Sequence, residues 1–265
     1  MHTLGVGTTG AESFFGPVHN PHDRRFIAGG SCSGSAAAVA TGMCYATVDT
    51  DAIGSCRLPA SCCGVVGFKP THGAIGMQGF LSHAAITART AALMFDVLRE
   101  RRDVKASDDP IRVGVATNFE AEKDIRSTFD SAIESIRGSG VTLMYAQAPL
   151  YEPRSGIDNI RRDRERIASD TFRDVDVLLL PTTVSAVPQL VSVRGKEQAF
   201  SPANTAFANY YGLPAITVPF GSDANGLPAG LQIVGRPDDE LTVLAVAYAL
   251  QQRWSSQGAA LDFRS

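Results

Sequence analysis

The chain has 265 residues, 44% of them hydrophobic, which is enough for one large core; its formal charge of −3 and pI near 6.0 leave no electrostatic footprint for nucleic acid. No apolar run approaches the ~18–20 residues of a membrane span, and Met1 is not followed by a charged and then apolar leader, so a cytoplasmic location is expected. The cysteines number five, an odd count that includes the adjacent Cys62-Cys63, and this suits reduced thiols better than a disulfide framework.

In chain order, residues 1–28 read as loop, with turn chemistry throughout Gly16-Pro17-Val18-His19-Asn20-Pro21. His19 and His22 have no carboxylate or cysteine at a metal-binding interval, so they read as loop residues and no metal is implied. Two small-residue turns follow, Gly29–Ser35 and Ala52–Ser55, each presenting a serine where the backbone can approach a ligand closely. Between them an Ala- and Val-rich run predicts a packed helix over Ser35–Cys44, then a buried strand over Tyr45–Val48. A Gly/Ser loop opening a helix can bind phosphate, but the first turn has neither the lysine of a P-loop nor the G-x-G-x-x-G spacing; tight packing is the alternative.

Further on, Gly73–Ile86 reads as a loop with Met77, Phe80 and His83 as pocket, core or surface residues, and Thr87–Arg99 as an amphipathic helix. Residues 101–110 form a charged connection closed by Pro110. Ile111–Val115, Ile125–Ile136 and Val141–Tyr145 predict strand, helix and strand, a βαβ-like unit. Arg161–Arg166 interleaves arginines with Asp163 and Glu165, which is a solvated helix face and not a basic patch. Leu178–Leu180 and Ile216–Val218 are continuous apolar runs, as in strands buried on both faces, and Leu241–Leu250 predicts a last helix.

From Gly29 to Gly73 the sequence GGSCSGSAAAVATGMCYATVDTDAIGSCRLPASCCGVVGFKPTHG closely resembles the signature region of the amidase signature family of serine hydrolases. Both turns, their spacing, and the flanks Arg57-Leu58-Pro59 and Cys63–Thr71 take part. The resemblance returns in Phe172–Thr182 and Asn204–Arg236, which match the family's closing strands. It implies an α/β fold, a mixed twisted β-sheet flanked by helices on both faces. One domain over 1–265 is expected: a signature core (1–100), an abbreviated middle (101–174) and closing strands with a helix (175–252).

The resemblance also implies a Ser-Ser-Lys triad and hydrolysis of a carboxamide, with no cofactor and a small-molecule amide as partner. Ser55 would be the nucleophile and Ser31, after a cis peptide bond, the proton relay. Backbone N–H groups of Ala52, Ile53, Gly54 and Ser55 would form the oxyanion hole. Thr50, Asp51, Arg57 and Cys32 match supporting or substrate-binding positions. A thiol nucleophile at Cys32 or Cys56 is disfavoured, because those positions are not nucleophilic in the family. Ile53 stands where the family has Gly or Ala and would crowd the acyl pocket.

The family's lysine lies far upstream of the first serine, and none of Lys69, Lys105, Lys123 and Lys196 corresponds to it. The chain therefore reads as an N-terminally truncated or abbreviated member, either a homo-oligomer or completed by the missing segment in trans. The competing reading is a non-catalytic remnant or assembly subunit.

Overall fold

A computed structural model describes residues 5, 7–75, 81–91, 110–137, 141–152 and 155–256. One mixed sheet of eight strands dominates it, in the order β1-β3-β2-β7-β8-β6-β4-β5. The strands are β1 (Ala46–Asp51), β2 (Val66–Lys69), β3 (His83–Ala88), β4 (Val113–Ala116), β5 (Leu143–Ala146), β6 (Val177–Pro181), β7 (Ala215–Ser222) and β8 (Pro228–Gly235). From β1 to β6 each neighbour is antiparallel, and β4 is parallel to both β6 and β5. The helices are α1 (Ser33–Ala40), α2 (Arg57–Cys63), α3 (Lys123–Arg137), α4 (Ile160–Asp170), α5 (Ala206–Tyr210) and α6 (Glu240–Ser256).

Two glycines of β8 show that both faces of the sheet are covered. A strand's side chains alternate, so positions 230 and 235 point to opposite faces. A Cβ on Gly230 would strike Ser61 of α2, and one on Gly235 would strike Val243 of α6. The middle strands are correspondingly apolar throughout: Leu178, Leu179, Leu180, Ile216 and Ile233 are all completely buried, as a strand with both faces covered requires.

The β4-α3-β5 unit is the expected βαβ crossover. Helix α3 buries Ile125, Phe129, Ala132, Ile133 and Ile136, a stripe of helical period, with Asp124 in its first turn and Arg137 in its last, each favourable to the helix dipole. The run Arg161–Arg166 lies within α4; Arg161, Arg162, Glu165 and Arg166 are exposed as expected, whereas Arg164 is half-buried and donates to Tyr210 O at 2.6 Å and Asn209 O at 3.0 Å.

Several boundaries differ from the sequence reading. Helix α1 begins at Ser33 and ends at Ala40, so Thr41–Cys44 forms a turn, and β1 continues to Asp51 because Asp49 and Asp51 find buried partners. Residues 57–63 are helical despite Pro59, which occupies the first turn, where no intrahelical N–H is required; Gly64, at φ 69°, ends the helix in the left-handed region. The expected loop through Ile86 contains β3, so Thr87 and Ala88 are strand and not helix; the strand packs against α1. The rest of the helix expected to Arg99, with Met77 and Phe80, lies outside the described residues.

The strand expected to be buried over Tyr45–Val48 is not: β1 forms one edge of the sheet, where Val48 is 85% exposed and Tyr45, just before the strand, 91%. None of the described helices is long and apolar enough to cross a membrane.

Candidate active site

Strand β1 delivers the chain to a tight loop, residues 52–56, before α2 begins. The loop is built on Asp51, whose carboxylate is completely buried. Its Oδ1 accepts from Gly54 N at 2.8 Å, Arg57 Nη2 at 2.9 Å and Asn209 Nδ2 at 3.0 Å. Its Oδ2 accepts from Arg57 Nε at 2.9 Å and, at longer range, from Cys56 N and Arg57 N. Burial alone would push this carboxyl up, but the Arg57 charge and the hydrogen bonds from Arg57 and Asn209 outweigh it and hold it well below the usual range.

Arg57, also without exposure, spends its other N–H groups on Gln232 Oε1 (2.6 Å), Asn209 Oδ1 (2.7 Å) and Thr205 O (3.1 Å). These bonds tie Arg57 to the carboxylate on which the loop is built.

Ser55 is 6% exposed, and its hydroxyl donates to Thr50 O at 3.0 Å. The same carbonyl accepts the Cys32 thiol at 3.3 Å, so Thr50 supports the site through its backbone. The second serine turn docks against the first: Cys32 N donates to Ser55 O at 3.2 Å, and the Gly30–Ser31 peptide is cis. Gly30 permits this approach, since a Cβ there would lie 3.0 Å from both Gly10 N and Gly7 O. Ser31 Oγ is buried and makes no hydrogen bond, so the hydrogen bond to Ser55 that a proton relay needs is not formed.

The four N–H groups proposed for an oxyanion hole divide. Gly54 N–H is committed to Asp51 Oδ1, while those of Ala52, Ile53 and Ser55 meet no acceptor among the described residues. At Gly54 φ is +119°, and a Cβ would sit 2.5 Å from Thr205 Oγ1 and 2.8 Å from Thr205 Cβ. Gly54→Ala is therefore expected to lower stability by about 1–3 kcal/mol, from overpacking and backbone strain. Chemical denaturation measures this, and a loss under about 0.5 kcal/mol would contradict the fit, being no more than an ordinary surface change.

Burial first, then Asp49, pushes the Cys32 thiol up to about 11, and burial raises Cys56 as well, which removes thiolate character from both. Lys69, fully buried, donates to Pro70 O at 2.9 Å; burial, then the Arg57 charge, pushes its ammonium well down. No hydrogen bond joins it to either serine. His83 is 3% exposed, with Nδ1 2.7 Å from Leu81 O, so it packs in the core beside Lys69. Among the described residues no group of His, Cys, Asp and Glu is arranged to hold a metal ion.

The sequence reading missed Thr205, Asn209 and Gln232. Thr205 Oγ1 donates to Ile53 O at 2.6 Å, and Asn209 Nδ2 to Asp51 O at 2.7 Å. Polar residues within an otherwise apolar segment, ANTAFANYYGLPA, are the signal that could have found the first two.

This architecture is that of the amidases. A crystal structure of an amidase superposes with a TM-score of 0.75 over 96% of this chain and 73% of that one, at 24% identity. That of 6-aminohexanoate cyclic dimer hydrolase gives 0.77 over 100% and 74%, at 22% identity. The chain belongs to the Amidase family, whose model matches residues 1–96 and 154–244. Among curated relatives, a fatty acid amide hydrolase of Medicago truncatula is 30% identical, over 95% of this chain and 56% of its own length. One subunit of the glutamyl-tRNA(Gln) amidotransferase of Halobacterium salinarum is also 30% identical, over 95% and 83%. The chain thus spans about half the length of the fatty acid amide hydrolases it matches.

Proposed function

We propose that this chain carries the nucleophile of an amidohydrolase: Ser55 attacks the carbonyl of a small linear amide, forms an acyl-enzyme with release of ammonia or an amine, and is freed when water hydrolyses the ester. The observation that carries this reading is the loop itself. Ser55 sits on a turn held from beneath by a buried ion pair, beside Ser31, with unspent N–H groups at Ala52, Ile53 and Ser55. Such a turn pre-organises donors for the charge that develops on the carbonyl oxygen. Ser31 acts as relay: its buried hydroxyl makes no other hydrogen bond, and the turn that carries it docks on Ser55 through Cys32 N. A cytoplasmic location agrees with the free state of all five cysteines.

A second reading, a non-catalytic remnant or assembly subunit, draws on the orphaned Ser31 hydroxyl and on Lys69 Nζ being turned to Pro70 O. A serine without a base is a weak nucleophile, and general-base help contributes about 10²–10⁴ in rate. The chain alone is therefore expected to turn over amides slowly, with a base supplied by a preceding segment in cis or in trans.

The test is a panel of aliphatic and aromatic amides assayed for ammonia or amine release, with this chain beside a version extended by the upstream coding sequence. A gain of about 10²-fold or more in the extended version is expected. Equal turnover would require a base within these residues, and no turnover by either would favour the non-catalytic reading.

A further inference from the structure

We infer that Asn209 is a positioning residue that turns the Ala52 N–H of the 52–55 loop to the side of Ser55 Oγ; this rests on the hydrolytic reading above. The amide is completely buried, and its orientation is dictated by its partners. Oδ1 must face the guanidinium, since it accepts from Arg57 Nη2 at 2.7 Å. Nδ2 consequently faces acceptors: Asp51 O at 2.7 Å, Asp51 Oδ1 at 3.0 Å and Leu81 O at 3.2 Å. One side chain of α5 thus holds both the carboxylate on which the loop is built and the carbonyl from which the loop departs.

The consequence follows from peptide geometry. In a trans peptide the C=O and N–H point in opposite directions. Asn209 draws the Asp51 carbonyl toward α5, which turns the Ala52 N–H away from α5. Successive carbonyls of a strand also alternate, so Thr50 O points to the side opposite Asp51 O. That is the side where Thr50 O holds the Ser55 hydroxyl at 3.0 Å. Ala52 N–H and Ser55 Oγ are therefore directed to one side of β1 by the hydrogen bond that Asn209 makes on the other.

Thr205, one turn earlier, acts likewise on the next carbonyl but one, holding Ile53 O at 2.6 Å. The Gly54 carbonyl is held by Leu58 N at 2.7 Å, which orients Ser55 N–H. Without the Asn209 bond, the Asp51–Ala52 peptide loses the side-chain hydrogen bond that sets its orientation.

The test uses Asn209→Asp in the full chain, a near-isosteric change that keeps an acceptor for Arg57 and removes the donors to Asp51. The introduced carboxyl faces Asp51, Arg57 and His83, with Lys69 also near Asp51. Beside Asp51 it tends to hold a proton as pH falls, and the protonated form regains a donor. The readouts are the second-order rate of labelling by a fluorophosphonate probe, relative to the unmodified protein, from about pH 8 to about pH 5, and a crystal structure of the variant near the upper limit.

Expected is a relative rate lowered about 10²-fold at the upper limit and recovering toward the lower, with the Asp51–Ala52 peptide rotated. An unchanged rate, a loss that is the same at every pH, or an unrotated peptide overturns the inference. Ser55→Ala separates the two levels. If that variant is labelled as fast as the unmodified protein, the nucleophile assignment fails, and the crystal structure of Asn209→Asp alone decides the role of Asn209.

Discussion

Ser55→Ala is expected to abolish amide turnover and fluorophosphonate labelling, a loss of more than about 10³-fold, since no other group can form the covalent intermediate. The nearby thiols do not substitute for it. Cys32 is completely buried, its thiol is pushed up to about 11, and its proton is donated to Thr50 O at 3.3 Å. Cys56 is equally buried, 3.4 Å from Thr87 Oγ1, and is raised by burial as well. At neutral pH neither offers thiolate to a substrate, so Cys32→Ala and Cys56→Ala are each expected to retain most of the activity. Mass spectrometry of the labelled peptide checks all three, and loss of labelling in Cys32→Ala with retention in Ser55→Ala would reverse the assignment.

What was legible in the sequence was what short-range chemistry dictates. The apolar runs Leu178–Leu180 and Ile216–Val218 could only be strands covered on both faces, and both are fully buried. The period of Ile125, Phe129, Ile133 and Ile136 allowed only a helix lying on a sheet. The two serine turns were legible because small residues cluster where chain segments approach closely, as at Gly30 and Gly54.

The misreadings arose where tertiary contacts decide. Strand β3, HAAITA, carries too little apolar alternation to stand alone; it is a strand because β1 and β2 pair with it on its two sides. Helix α2 has a proline, an alanine, a serine and two cysteines in its seven residues, and takes its stability from burial against the sheet. Asn209 and Gln232 lie 158 and 181 residues beyond Asp51, so nothing local announces that they complete the same hydrogen-bonded network. The pairing of Arg57 with Asp51 was within reach at six residues' separation, but the saturation of that arginine was not.

The largest effect on stability is expected from breaking that pair. Asp51→Asn leaves the buried Arg57 guanidinium without its counter-charge, and removal of one member of a buried ion pair costs about 3–5 kcal/mol. Arg57→Met is expected to cost a similar amount for the converse reason, and the double variant less than the sum, because it leaves no orphaned charge. The pH dependence carries the sign. Since the folded-state carboxyl of Asp51 titrates below its unfolded value of about 3.9, the unfolded chain takes up the proton first. The stabilisation is therefore full above about pH 4 and is lost as pH falls from there through the folded value. Urea unfolding should show the gap between the unmodified protein and Asp51→Asn narrowing by about 1 kcal/mol between pH 5 and pH 3. A gap that stays constant across that range would mean that Asp51 is not the ionised anchor of the loop. In the same variant Gly54 N–H and Cys56 N–H face a neutral amide in place of a carboxylate. Labelling of Ser55 should then fall even under conditions where the protein remains folded, because the turn that carries the nucleophile is held by the same carboxylate that holds the fold.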